Sequence, residues 1–242
     1  MLKQLIDIAR RSQFKPGILS LLVNPFHFAR TGLYRAVRGV AANIRGRVLD
    51  VGCGQKPYEK LFAADAYVGL ELDTPGNRLR KRADHYYNGS AFPFPDSSFD
   101  SVVLFQVFEH VFTPDAFLQE INRVLRPGGV LLMSVPFLWD EHEQPNDFAR
   151  YSSFGLRSII ERHGFSVERQ QKSVSDVRVV FQMLNAYLYK ITETRFPAVN
   201  AFIALFLMMP FNILGELAAL VLPRNEDLYL DNVILARKAP HA

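Results

Sequence analysis

The segment Val48-Leu-Asp-Val51 runs straight into Gly52-Cys53-Gly54. Four residues of that apolar, β-branched character bounded by glycines predict a buried strand that ends in a tight turn. The turn is then followed by further strands alternating with helices. Tyr67–Leu72, His85–Asn88, Ser101–Phe105, Val130–Val135, Ser166–Lys172 and Asp231–Arg237 read as strands two to seven. A short helix is expected from about Tyr58 to Ala64, and a loop or single turn over Thr74–Arg82. Thr113-Pro114-Asp115 opens a helix, with threonine suited to the cap and proline to the first turn. Pro127-Gly128-Gly129 is expected to terminate it, and a later helix spans Phe154–His163, closed by Gly164. This alternation predicts an α/β fold, a Rossmann-like seven-stranded, mostly parallel sheet with helices on both faces.

Length enters here as a bound. The 242 residues suffice for one such sheet with appendages. The predicted division is an N-terminal helical basic arm over 1–45 and a sheet domain over 46–242, with an apolar helical insertion at about 174–227. The arm carries two apolar stripes at helical spacing, Leu2, Leu5, Ile6 and Ala9, then Ala29, Leu33, Ala36, Val37 and Val40. Before Val48 there are nine Lys and Arg residues against Asp7 alone. That bias suits an anionic partner (a membrane surface, a nucleic acid or a phosphorylated substrate) and equally a solvated basic helix. Arg10-Arg11 resembles a twin-arginine export signal, yet Ile18–Val23 is short for its apolar stretch and no small-residue cleavage site follows. The segment is therefore read as retained, and the protein as cytoplasmic. The single cysteine, Cys53, excludes an intramolecular disulfide and leaves a multi-cysteine zinc site without enough sulfur.

A glycine turn after the first strand serves dinucleotides as well as other ligands. The dinucleotide fingerprint needs a third glycine for close helix–strand packing, and Pro57 stands there instead. Glu71 ends the second strand, seventeen positions after Gly54. A carboxylate at that place can accept hydrogen bonds from both hydroxyls of a ribose.

Five ordered segments carry a family resemblance. They are Val48–Gly54, Gly69–Asp73, Phe92–Asp100, Phe108–Val111 and Glu120–Gly129. Together the segments, spread over roughly residues 45–170, resemble the class I S-adenosylmethionine-dependent methyltransferases, and the small-molecule branch in particular. The resemblance implies S-adenosylmethionine as cofactor. It places Asp50 near the cofactor's amino acid moiety and the backbones of Gly52, Cys53 and Gly54 against it. Glu71 would hold the ribose, and Leu72 and Gly89 are further cofactor-binding candidates. Asn88 stands where many relatives have an aspartate near the adenine amino group, and its amide carbonyl can still accept a hydrogen bond. Phe105 and Gln106 would flank adenine or the methionine portion. Cys53, at a small loop position of the family, is not expected to act as a thiol.

Methyl transfer from a sulfonium is an in-line displacement, so alignment does most of the work, and a hydroxyl acceptor gains from a general base. The candidates are His110, at the end of the loop after the fourth strand, and the run His142-Glu143 to Arg150-Tyr151 after the fifth. His142 is the preferred base, with His110 and Tyr151 as further catalytic candidates. The same run read structurally is a self-satisfied polar network fixing a lid. Small-RNA 2′-O-methyltransferases of this fold hold a metal on Glu-x-x-Glu-His and a later histidine. Gln106 replaces the first of those carboxylates with an amide, a poorer ligand for a hard cation, so no metal is expected.

Val199–Leu222 is the longest apolar stretch. At ~1.5 Å per residue it could cross a bilayer. A return to the sheet at Asp231, and the division of the run by Pro210, argue against a span. A buried cap, a homodimer face and a hairpin dipping into a membrane surface remain. The expected function is methyl transfer to a small-molecule or lipid-like acceptor, with peripheral membrane association. The alternatives are a catalytically inactive scaffold of the same fold and an RNA methyltransferase; the sequence contains no aromatic–basic RNA-binding module.

Overall fold

The computed structural model describes residues 16–17, 19–80 and 82–240. The stripe Leu2 to Ala9 and the Arg10-Arg11 pair lie outside the described residues. Seven strands form one sheet: β1 Arg45–Val51, β2 Ala63–Leu72, β3 His85–Tyr87, β4 Phe99–Phe105, β5 Leu125–Pro136, β6 Phe165–Ser173 and β7 Asp231–Lys238. Their order across the sheet is β3-β2-β1-β4-β5-β7-β6. β1 is parallel to both β2 and β4, as β2 is to β3 and β4 to β5. The chain thus winds outward in one direction from β1 and in the other from β4, which makes the crevice after β1 and β4 the switch point where open sheets bind ligands.

Besides the short helix Ser20–Val23, the α-helices among the described residues are α1 His27–Val40, α2 Pro75–Arg80, α3 Pro114–Val124, α4 Ser153–Arg162, α5 Arg178–Thr192, α6 Pro197–Ile203 and α7 Met209–Val221. By contacts the chain forms two compact units. One holds the described residues up to Ala36 with 138–140 and 172–231, and the other holds the described residues of 37–137, 141–171 and the C-terminal strand from Asn232. This grouping joins the N-terminal segment to the insertion.

The core of the sheet unit is built from inward positions of the central strands. Leu49, Leu70, Val102, Leu104, Leu131 and Met133 are fully buried, and so are Leu118, Ile121 and Val124 of α3 and Leu156 and Ile160 of α4. Each such side chain contributes ~1.5–3 kcal/mol of apolar burial. The Pro-Phe-Pro-Asp run serves this core too. Phe92 and Phe94 are buried edge-on against Phe117 and Phe99. Arg123 of α3 donates to the carbonyls of Phe92 and Phe94, to Asp96 and to both oxygens of Glu120, while Glu120 accepts from the amide of Phe92.

Several boundaries differ from those read in the sequence, for physical reasons. The helix expected over 58–64 is a single 3-10 turn, Glu59–Leu61, because β2 starts at Ala63 to pair with Arg45 of β1. Thr113 stands at the start of α3, but its side chain makes no capping bond. Pro127-Gly128-Gly129 does not end that helix. Leu125 already leaves it to pair with Phe99, and the Pro-Gly-Gly stretch lies within β5, where a Cβ on Gly129 would fall 2.8 Å from the carbonyl oxygen of Arg126. Pro210 does not divide the apolar run either. Residues Pro197–Val221 form one continuous 25-residue helix, in which the π-helical turn Ala204–Met208 precedes the proline and takes up its missing N–H donor.

In the other unit a chain of buried amides joins the N-terminal segment to the insertion helices. Asn212 of α7 donates to the carbonyls of Leu21 and Asn24 and accepts from Asn185 of α5. Gln182 of α5 accepts from the amide of Ala29 and donates to the carbonyl of Pro25. Gly215 lets Phe28 approach, since a Cβ there would fall 2.7 Å from its ring.

Candidate active site

The turn after β1 owes its shape to two glycines in the left-handed region, Gly52 at φ +67 and Gly54 at φ +53. A side chain at Gly52 would also meet Val107, whose Cγ2 is 2.4 Å from the Cβ position. The turn is fastened to the end of β2. The amides of Gly52 and Cys53 both donate to the carbonyl of Leu70, and the amide of Gly54 donates to Glu71 Oε2 at 3.0 Å. Three loop amides are therefore used inside the protein, and the glycine Cα faces are what the turn can present to a ligand.

Asp50 and Glu71 are buried carboxylates flanking this turn. Asp50 accepts a 2.7 Å hydrogen bond from the Tyr67 hydroxyl. Burial nevertheless raises its pKa to about 7, with the Tyr67 hydrogen bond working against the shift and the charge of Glu71 adding to it. Below the turn, Asp84 accepts from the amide of Gly69 and from Lys56 Nζ, which fixes the far side of the loop. Cys53 is buried, with its thiol pushed up to about 12 by burial and then by Asp50, so it packs and does not react.

The remaining cofactor candidates sort by place. Leu72, at the end of β2, is exposed, and its Cδ1 stands 3.4 Å from where a Cβ on Gly89 would be. Those two residues make one small apolar ledge beside Glu71. Asn88 lies just past β3, and its side-chain oxygen accepts from both the amide and hydroxyl of Ser90. That oxygen is committed to the Asn-Gly-Ser turn. Phe105 ends β4 under a small aromatic stack, with Tyr58 edge-on at 4.6 Å and Phe62 near-parallel at 6.3 Å. Gln106 follows at φ +56, its amide nitrogen donating to Ser134 Oγ on β5.

The acceptor-side candidates meet around a residue the sequence did not single out. Glu109 is fully buried in the 3-10 turn Phe108–His110. His110 Nε2 and His142 Nε2 each stand 3.9 Å from Glu109 Oε1, and the two rings are 4.8 Å apart at 78°. The amide of His142 donates to Asp147 Oδ2, and Arg150 grips both oxygens of that carboxylate at 2.6 Å. The guanidinium holds the Asp147 carboxyl well below the usual range. The Glu109 carbonyl takes the amides of Phe148 and Ala149. The 142–151 run is thus the rigid polar network that its composition allows, with two imidazoles on one edge. Glu143 is exposed at positive φ. Tyr151 stacks on Phe108 at 5.2 Å, and burial raises its pKa, which makes it a poor base. The sequence marked Glu109 only through the Glu-His pair and its place in the run compared with the Glu-x-x-Glu-His set; nothing there marked Tyr67 as the partner of Asp50.

Residues 49–133 match the model of the methyltransferase domain family. Over that segment the chain is similar to S-adenosylmethionine-dependent methyltransferases. It is 37% identical over 134 residues to a probable S-adenosylmethionine-dependent methyltransferase of Mycolicibacterium smegmatis, covering 50% of this chain and 52% of that one. It is also 38% identical over 104 residues to a fatty-acid O-methyltransferase of the same organism, covering 38% of each. The chain therefore spans about half the length of these relatives, or less. Among solved structures, a putative sarcosine dimethylglycine methyltransferase from Galdieria sulphuraria shares the fold at TM-score 0.52 and 21% identity, over 88% of this chain and 86% of that one.

The cofactor of these methyltransferases is S-adenosylmethionine, and the residues present fit it. Glu71 offers a buried carboxylate with one oxygen anchored on Gly54, the Leu72–Gly89 ledge offers an apolar face, and the glycine turn admits close approach of an amino acid moiety.

Proposed function

We propose that this methyltransferase acts in the cytoplasm on a small-molecule or lipid-like acceptor presented at a membrane surface. Bound S-adenosylmethionine supplies an electrophilic methyl group on its sulfonium. The chain's own residues then orient the donor through Glu71, Asp50 and the glycine turn, and the His110–His142 edge meets the acceptor. His142, with Nδ1 3.3 Å from Asp147 Oδ2, is held in one orientation and is the preferred group to take a proton from an acceptor hydroxyl.

The observation that carries the acceptor class is the outer face of the Pro197–Val221 helix. Phe202 and Phe206 stack on each other while each stays 62% exposed, and Leu220 and Val221 are more than four-fifths exposed. An apolar surface of that kind marks an interaction site. The helix is long and apolar enough to cross a membrane by length and composition. However, β6 hands the chain to the insertion and β7, its neighbour in the sheet, takes it back. Both ends of the insertion then lie on one side, which favours a helix lying in the interface over a span. The likeness to a fatty-acid O-methyltransferase points to the same acceptor class.

Two measurements test this. Formation of S-adenosylhomocysteine with a lipid extract, and none with RNA, is expected; the reverse would establish the RNA alternative, and no turnover with any extract would leave a scaffold. Wild-type protein should float with anionic vesicles, while a Phe202→Ser, Phe206→Ser, Leu220→Ser variant should not. A wild-type chain that stays at the bottom at low salt, or elutes as a stable dimer whose contact this variant breaks, refutes the membrane assignment.

A further inference from the structure

Asp50 is a buried carboxyl with no cation paired to it among the described residues. Its side chain is 2% exposed, and the one hydrogen bond it accepts there comes from the Tyr67 hydroxyl, on Oδ2. The amides of the glycine turn are spent elsewhere, on the carbonyl of Leu70 and on Glu71. Lys56, the basic side chain whose charge Asp50 feels, is paired with Asp84, while Glu71 and Glu59 add negative charge from β2 and from the turn before it. Burial therefore holds a proton on Asp50 up to about pH 7, against the Tyr67 hydrogen bond.

The reach of Tyr67 is set by strand register. Asp50 of β1 pairs with Gly69 of β2, and Val48 pairs with Tyr67, two positions back on both strands. Residues two apart on a strand share a face, so Tyr67 lies on the side of the sheet that carries Asp50. Its ring is stacked on Phe62 at 6.2 Å and 13°, and Phe62 lies near-parallel to Phe105 at the end of β4. The hydroxyl is thus held on a fixed ring and fastens Oδ2, which leaves Oδ1 for a donor from outside the chain.

We propose that Tyr67 is a positioning residue for the cofactor: by holding Oδ2 it presents the Asp50 carboxyl to the cofactor's α-ammonium, and Asp50 releases its proton to solvent when that ammonium binds. A buried carboxylate needs a paired charge, and the ammonium is the cation that this one lacks. The family resemblance puts the amino acid moiety near Asp50; it contains neither Tyr67 nor a proton that has to leave. Cofactor capture is then coupled to pH, with Tyr67 tuning the coupling through Asp50.

Two ligands are titrated into the full chain by calorimetry. S-adenosylhomocysteine carries the α-ammonium, and 5′-methylthioadenosine keeps the nucleoside and the sulfur without it. Runs at about pH 6.5 in two buffers of different ionisation enthalpy count the protons released. Roughly 0.7 of a proton is expected per S-adenosylhomocysteine bound, and none with methylthioadenosine or with Asp50→Asn. Affinity for S-adenosylhomocysteine should fall on the order of 20-fold from about pH 7.5 to about pH 5.5, with methylthioadenosine unchanged. Tyr67→Phe keeps the ring and loses the hydroxyl. It should bind S-adenosylhomocysteine about 10-fold more weakly near pH 7 and methylthioadenosine as the wild type does, which a purely structural role would not produce. A thermal melt confirms that each variant is folded. If methylthioadenosine binds too weakly to titrate, the proton count and the pH profiles of wild type and Tyr67→Phe decide. No proton released by the wild type, wild-type affinity for S-adenosylhomocysteine in Tyr67→Phe, or equal weakening of both ligands overturns the proposal.

Discussion

Replacing Glu71 tests the cofactor site most directly, because one side chain there does two things. Its Oε2 takes the amide of Gly54, and the rest of the carboxylate is left for a ribose. Glu71 is only 7% exposed, so its hydrogen bonds form in a medium with little competing water. Hydrogen bonds to a charged group contribute ~1.5–3 kcal/mol each. Losing two to the ribose, with partial compensation by water, gives a loss near 3 kcal/mol, or on the order of 150-fold in Kd. Glu71→Ala also strands the Gly54 amide, which should lower stability by about 1–2 kcal/mol. Glu71→Gln keeps a carbonyl for that amide but forfeits the charge, so roughly tenfold weaker binding is expected with little change in melting temperature. Calorimetry with S-adenosylhomocysteine, which binds without turning over, measures both variants, and a denaturant titration measures stability. A folded Glu71→Ala protein with wild-type affinity would refute the placement of the ribose at this carboxylate.

Gly52→Ala should abolish measurable cofactor binding in the same calorimetric assay, since the new Cβ adopts a left-handed backbone and collides with Val107. Arg123→Ala removes the clamp on the Phe92–Asp96 loop and should cost about 2–4 kcal/mol in a urea titration. Asp50 makes stability depend on pH: its folded pKa, about 7, lies above the unfolded 3.8, so the ligand-free fold loses stability as pH rises from about 4 to about 7. His27, held near 4 by burial, works the opposite way between about 4 and 6.5, so the readout is wild type minus Asp50→Asn. The difference should shrink toward high pH, and a flat difference would mean that Asp50 is ionised throughout. Tyr67→Phe removes the hydroxyl that favours the Asp50 carboxylate and should carry that slope to higher pH.

Much of the sheet was legible because it is local. β1 announces itself by an apolar run that stops at two glycines, and Glu71 is found by counting from them. The Gly164 stop of α4 is likewise written beside the helix it bounds, and the glycine lies at φ +80; the Ser152 cap, which accepts from Gly155, was not read in the sequence. What failed was where a long-range partner overrode a local signal. Leu125 leaves α3 early to pair with Phe99, although three helix-breaking residues lie just beyond it. Ala63 and Ala64 read as helix formers, but the register of β1 recruits them to β2.

The proposed acceptor edge was legible in composition and illegible in geometry, and Glu109 shows why. A Glu-His pair in sequence does not reveal that the carboxylate turns inward to full burial while the imidazole stays beside it. Nor does it reveal that His142, thirty-two residues later, returns to the same oxygen. That return is set by backbone: the amides of Phe148 and Ala149 dock on the Glu109 carbonyl, and Asp147, held by Arg150, aims the His142 ring. The same polar run can therefore be a structural network and still serve the proposed function. Rigidity around Asp147 is what brings the two imidazoles to one carboxylate oxygen, and a soft loop of identical composition would not do so.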